Sequence, residues 1–169
     1  MLQNIQDWLG HTGMADYVRS SVTAKALLES VHILAMGLVL FSVGMISIRL
    51  MGLAGRSESA TALSRRFGPW LWAGMAMVLI TGLVLLTGAG QRGLANPMFA
   101  VKMALMFAAI LLTAALQASL AADTAYWELT PGRRALAKLL APLCFLLWLA
   151  TVCAGRWLAY WTTFFPPAY

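Results

Sequence analysis

Charge is what this sequence has least of. Six acidic and twelve basic side chains are spread over 169 residues, a charged share of 11%, where soluble domains carry about a quarter. So few charges cannot cover the surface of a water-soluble α-domain, and that class is set aside. Cysteine is nearly absent as well: Cys144 and Cys153 are the two in the chain. On one helix they would stand roughly 13 Å apart on nearly opposite sides. A mutual disulfide is excluded, and metal-ligand spacing is missing. No nucleophile–base arrangement or phosphate-cradling glycine loop is visible. The first ten residues, Met1 to Gly10, hold neither a basic leader nor an apolar core of signal length, so a cleaved signal peptide is not expected.

What the chain does have is hydrophobic length. Apolar residues make up 61% and the mean hydropathy is +0.77, gathered into four runs that each reach the roughly 20 residues a bilayer crossing requires. The spans are predicted at about 24–52, 68–90, 97–122 and 133–161. Short loops join them, and no linker or repeat interrupts them. The expected fold is all-α: one domain, an integral membrane up-and-down four-helix bundle. Leu2, Ile5, Trp8 and Leu9 recur at helical spacing before the first span, which predicts a short N-terminal helix lying in the interface. Gly10 and Gly13 would break it, His11 falling between them as a surface histidine. Ser20 or Ser21 then supplies the cap of the first span. Pro69 is expected near the start of the second span and Asn96-Pro97 at the start of the third, where a proline's missing N–H had no partner anyway.

The formal charge of +6 does not point to nucleic acid, because no basic stripe or aromatic platform accompanies it. The cations sit beside the apolar runs instead. Arg49, Arg56, Arg65 and Arg66 flank the first loop, and Arg133, Arg134 and Lys138 flank the third. That bias places both termini outside, which is the periplasm for a bacterial inner membrane.

With that orientation, four ionisable residues fall at similar depth near the outer face. Glu29 and His32 lie in the outer third of span one, Lys102 lies early in span three, and Arg156 lies in the last turns of span four. Ionisable groups inside a membrane segment are costly and usually functional. Taken singly, each has a plain structural explanation: Glu29 pairing with Lys25, Lys102 and Arg156 reaching toward headgroups, His32 satisfied in a core. Convergence of all four is expected to form a site. A histidine in an apolar bundle commonly ligates metal or haem iron. Lys102 and Arg156 suit haem propionates or another anion, and Glu29 suits orientation of the ring or relay of a proton. Met36 is one of the methionines available as a further ligand. The polar stripe Met106, Thr113 and Gln117 continues the face of span three that begins at Lys102.

Glu29-x-x-His32, Arg49 at the end of the same span, Asn96-Pro97-x-Phe99-x-x-Lys102-Met103 and Ala154-Gly155-Arg156-Trp157 together resemble a family of small bacterial four-span membrane proteins of unknown function. The resemblance covers nearly the whole chain and implies no assigned activity. More distantly, His32, Arg49 and Lys102 are similar in type and spacing to residues of the J-type protoporphyrinogen oxidases, a four-span family that binds haem b. The copper-resistance D family also has an outer-half histidine and a lysine in a comparable span. The chain departs from the oxidase pattern in the stretch of about 25 residues ahead of its first span.

Three readings stay open at this point. The first is a small redox protein holding haem b through His32, with the two cations on its carboxylates, passing electrons to a periplasmic or membrane partner subunit. The second is copper handling by His32 and methionines. The third is a cofactor-free accessory subunit that docks a partner or lipid through the charged cluster. Contact with the lipid bilayer is common to all three, and a homo-oligomer is compatible with each.

Overall fold

A computed structural model describes residues 12–53, 58–89, 96–122, 127 and 129–164. Within them the chain is helical, with no strand. A short helix α1 (Gly13–Ser20) precedes four long ones: α2 (Val22–Met51), α3 (Ala60–Ala89), α4 (Pro97–Ala122) and α5 (Pro131–Phe164). Each of the four is long and apolar enough to cross a membrane.

The helix starts follow local chemistry. Ser21 accepts from the Ala24 amide at 3.2 Å and caps α2, as expected for that pair of serines. Asn96 Oδ1 accepts from Met98 N at 2.9 Å, with Pro97 as the first helical residue of α4. Thr130 and Pro131 repeat the device at α5, where Thr130 Oγ1 accepts from Arg133 N at 3.3 Å. At the other end of α2, Gly52 takes a left-handed conformation with φ of 75°. Its amide and that of Leu53 bond back to Arg49 and Ile48, a Schellman closure that L side chains disfavour.

One expectation needs correction. Helix α3 starts at Ala60, well ahead of Pro69, which therefore sits inside the helix. Ser59 caps this earlier start by accepting from Ala62 N at 3.0 Å, so Arg65 and Arg66, which flank the first loop, already belong to the helix. The segment from Gly13 to Ser20, for which no element was expected, is α1, with Thr12 as its N-cap accepting from Ala15 N. The interfacial helix expected over residues 2–9, and His11, lie outside the described residues.

Side-chain contacts give the order of the helices. Gly74 of α3 meets Ala35 and Val39 of α2, and a methyl placed there would stand 3.1 Å from Val39 Cγ2. Gly44 of α2 faces the Phe145 ring of α5, and Ser47 donates to the Ala141 carbonyl of α5 at 3.0 Å. Thr113 of α4 contacts Cys144 Sγ at 3.2 Å and accepts from the Trp148 indole at 3.0 Å, both on α5. Thr61 of α3 donates to the Leu120 carbonyl of α4. In the Ser47–Ala141 and Thr61–Leu120 pairs an early residue of one helix meets a late residue of the other, so these neighbours run in opposite directions. Helix α2 packs on α3 and α5, and α4 packs on α5. Helix α1 folds back against α3, where Val18 stands beside Gly88.

The core is apolar and well filled. Trp148, Leu71, Leu120 and Val39 are essentially inaccessible. The outward faces are just as apolar, with Leu34, Ile80, Phe107 and Leu146 all more than half exposed. A helix that is hydrophobic all round is a core helix or a membrane span.

Candidate functional site

Antiparallel packing gathers the start of α2, the end of α3, the start of α4 and the end of α5 at one end of the molecule. His32 stands there, ten residues into α2 and half-buried. Its Nδ1 lies 2.7 Å from Oγ1 of Thr81 on α3. Thr81 is itself buried, and its hydroxyl lies 2.6 Å from the Met77 carbonyl. Two oxygens that close need the hydroxyl hydrogen between them, and a carbonyl can only accept. Thr81 therefore donates to Met77, and its oxygen accepts from Nδ1–H of the imidazole. This fixes the tautomer and leaves Nε2 with its lone pair, the arrangement by which a backing hydrogen bond prepares a histidine to ligate. Gly82 completes the seat: a methyl there would sit 3.4 Å from Cε1 of the ring.

Lys102, one turn into α4, is also half-buried. Its stem crosses Gly155 of α5, where an added methyl would lie 3.5 Å from both Cε and Nζ. The Asn-Pro…Lys and Gly-Arg-Trp segments are thus one structural unit, in which the glycine makes room for the lysine of the other helix.

The remaining residues of the expected cluster are placed differently. Glu29 is exposed on α2 and forms no ion pair or hydrogen bond among the described residues. Arg156 is exposed and directed along its own helix, its guanidinium 5.5 Å from the centre of the Tyr160 ring and 3.4 Å from the Tyr160 hydroxyl. Met36, one turn beyond His32, is 8% exposed and belongs to the apolar core. The structure pairs His32 with Thr81 and Lys102 with Gly155, and leaves Glu29 and Arg156 exposed. Thr81 was visible in the sequence only as a polar point in the second span. Counting it and His32 from the same end of the antiparallel pair would have matched their depths.

The stripe beyond Lys102 has local explanations. Thr113 donates to the Ala109 carbonyl and accepts from Trp148. Gln117 Oε1 accepts from the Trp72 indole at 2.6 Å. The two cysteines are free, Cys144 buried and Cys153 exposed. No group of three or more His, Cys, Asp or Glu side chains converges as a metal site among the described residues.

The opposite end is built otherwise. Two clefts open there: one of about 400 Å³ between α3 and α4, lined by Arg65, Trp72 and Gln117, and one of about 320 Å³ lined by Arg49, Arg134 and Lys138.

Comparison with known proteins gives one finding. Residues 7–161 match a family of unknown function, DUF6644, and the chain belongs to that family. No curated protein and no solved structure matches it.

Proposed function

We propose that this member of the DUF6644 family is a small multi-pass redox protein of the bacterial inner membrane. Its four long helices form an up-and-down bundle that binds haem b near the outer face. The apolar outward faces of all four helices support insertion, and the cations gathered at the Arg49 end support an outer location for His32 and for both termini. The observation that carries the cofactor reading is the Thr81 bond, which holds Nδ1–H and turns Nε2 of His32 into a fixed lone-pair donor. The donor types fit haem b: His32 would hold the iron through Nε2, and Lys102, at the same end, would meet a propionate. Bound haem supplies one-electron transfer, with a quinone or a periplasmic or membrane subunit as the partner. Within the chain, Thr81 orients the ring, Gly82 admits it, and Gly155 seats the lysine.

The test is a pyridine haemochrome spectrum of protein purified from haem-replete cells. About one haem b per chain is expected, lost in His32→Ala at unchanged protein yield. A wild-type protein with no haem absorbance overturns the reading.

One feature favours copper as the second reading. His32 and Met36 stand one turn apart on the same face of α2, so they cannot be opposite axial ligands of one haem. An imidazole with a thioether suits a soft cuprous ion. Metal analysis of the same preparation separates the cases. Copper without a haemochrome, lowered by His32→Ala, supports copper handling. Neither cofactor supports an accessory subunit docking a partner through the exposed Glu29 and Arg156.

A further inference from the structure

Two contacts set the register between α2 and α5: Gly44 meets the Phe145 ring, and Ser47 bonds to Ala141. These helices run in opposite directions, so fifteen residues back from Gly44 is level with fifteen residues on from Phe145. Glu29 is therefore level with Tyr160. The Arg156 guanidinium lies over the Tyr160 ring, 5.5 Å from its centre. An acid and a cation thus stand at one height on adjacent helices. They also share a side. Glu29 precedes Ser47 by eighteen residues, five full turns, which puts it on the line of α2 that bonds α5 lower down. Arg156 follows Phe145 by eleven residues, about three turns, which puts it on the line of α5 that meets α2. Both are nevertheless exposed, and Glu29 makes no ion pair or hydrogen bond among the described residues. Arg156 turns to Tyr160 instead. The groove between the helices is filled at Gly44 and open at Gly37, seven residues nearer the His32 end on nearly the same line. A methyl added at Gly37 would meet nothing within 4 Å. Helix α1 folds back against α3, the other neighbour of α2.

We infer that this face of α2 and α5 is the interface with a second copy of the chain, in which Glu29 of each copy pairs with Arg156 of the other. Ionisable groups within a membrane segment are costly and pair with one another or face a polar interior. A face that carries both an acid and a cation complements itself, as a two-fold interface requires. A two-fold axis along the membrane normal leaves every height unchanged, so only groups of equal height meet across it. Glu29 and the Arg156 guanidinium satisfy that condition, and the uncovered Gly37 lets the second backbone approach closely. The inference rests on the membrane-spanning part of the reading above and is independent of whether haem is bound.

The experiment co-expresses two differently tagged full-length chains and reads recovery of the second tag after purification on the first in mild detergent. Wild-type chains should co-purify. Glu29→Arg sets two cations at each contact and Arg156→Glu sets two acids, so either variant alone should lose self-association by about tenfold or more. Co-expressed with each other, the two variants restore an attractive pair on both sides of the axis. Their association should return to within about threefold of wild type. Misfolded chains, or a pair formed inside one chain, cannot give that rescue. If the mixture stays apart while Glu29→Arg/Arg156→Glu in a single chain recovers, the pair is internal and the interface is overturned. Gly37→Leu is the second variant. The chain itself leaves room at that position, so insertion should be unchanged and association about tenfold weaker. Unchanged association in Glu29→Arg or in Gly37→Leu overturns the interface, and so does a wild type that stays monomeric. Membrane recovery and the haemochrome are recorded on the same samples. Haem without co-purification defeats this inference alone, and co-purification without haem defeats only the cofactor reading.

Discussion

The two ends of the helical assembly handle polar groups in opposite ways. At the His32 end, a few groups are drawn between helices and each is committed: imidazole to threonine, threonine to a carbonyl, lysine across a glycine. At the Arg49 end the charges are more numerous and stay around clefts, where Arg49 donates to the Glu58 carbonyl and Arg66 meets the Glu58 carboxylate at an exposed position. Low polarity around a buried pair makes a missing bond costly, whereas a cleft open to water tolerates one. One end is therefore organised by exact pairing and the other by accumulated charge.

Substitutions can break or sharpen this contrast. The largest effect is expected from Trp148→Ala, because Trp148 is 1% exposed and ties α5 to Thr113 between the two ends. Loss of a buried aromatic costs about 3–5 kcal/mol, so thermal unfolding in detergent should begin markedly earlier and both ends should loosen together. Thr81→Val comes next. It keeps the shape but strands Nδ1–H of His32, a cost of about 1–3 kcal/mol. Under the proposed function it should lower the haem b content read by the pyridine haemochrome spectrum. Gln117→Leu is expected to be the smallest, within about 1 kcal/mol of wild type. Its Nε2 is buried without a partner, so removing that donor offsets the lost bond to Trp72, whose ring is 42% exposed. A Gln117→Leu change as destabilising as Thr81→Val would erase the distinction between the ends.

Much of the scaffold was legible because it is written locally. Four long apolar runs, Ser21 as a cap and Asn96-Pro97 as a helix start each depend on a few adjacent residues, and the structure keeps them. Pro69 misled because proline favours a helix's first turn, yet Ser59 offers an equally good cap earlier and the arginines between are good helix formers. In the candidate site, height along the helix could be counted, and it placed His32 and Lys102 at one level. Direction around the helix could not, since it depends on which neighbours α2 acquires. Those neighbours are α3 and α5. His32 therefore finds Thr81 on α3, and Glu29 is left exposed. Arg156 escaped for the same reason: Tyr160, one turn along its own helix, was a nearer partner than anything across the core.

The threonine behind His32 has a consequence for proton traffic. An imidazole can pass a proton through itself only if one nitrogen receives while the other releases. Here the far nitrogen faces an oxygen whose single hydrogen is already spent on Met77, with no chain of acceptors beyond it. A proton taken up at Nε2 therefore has no onward path through Thr81.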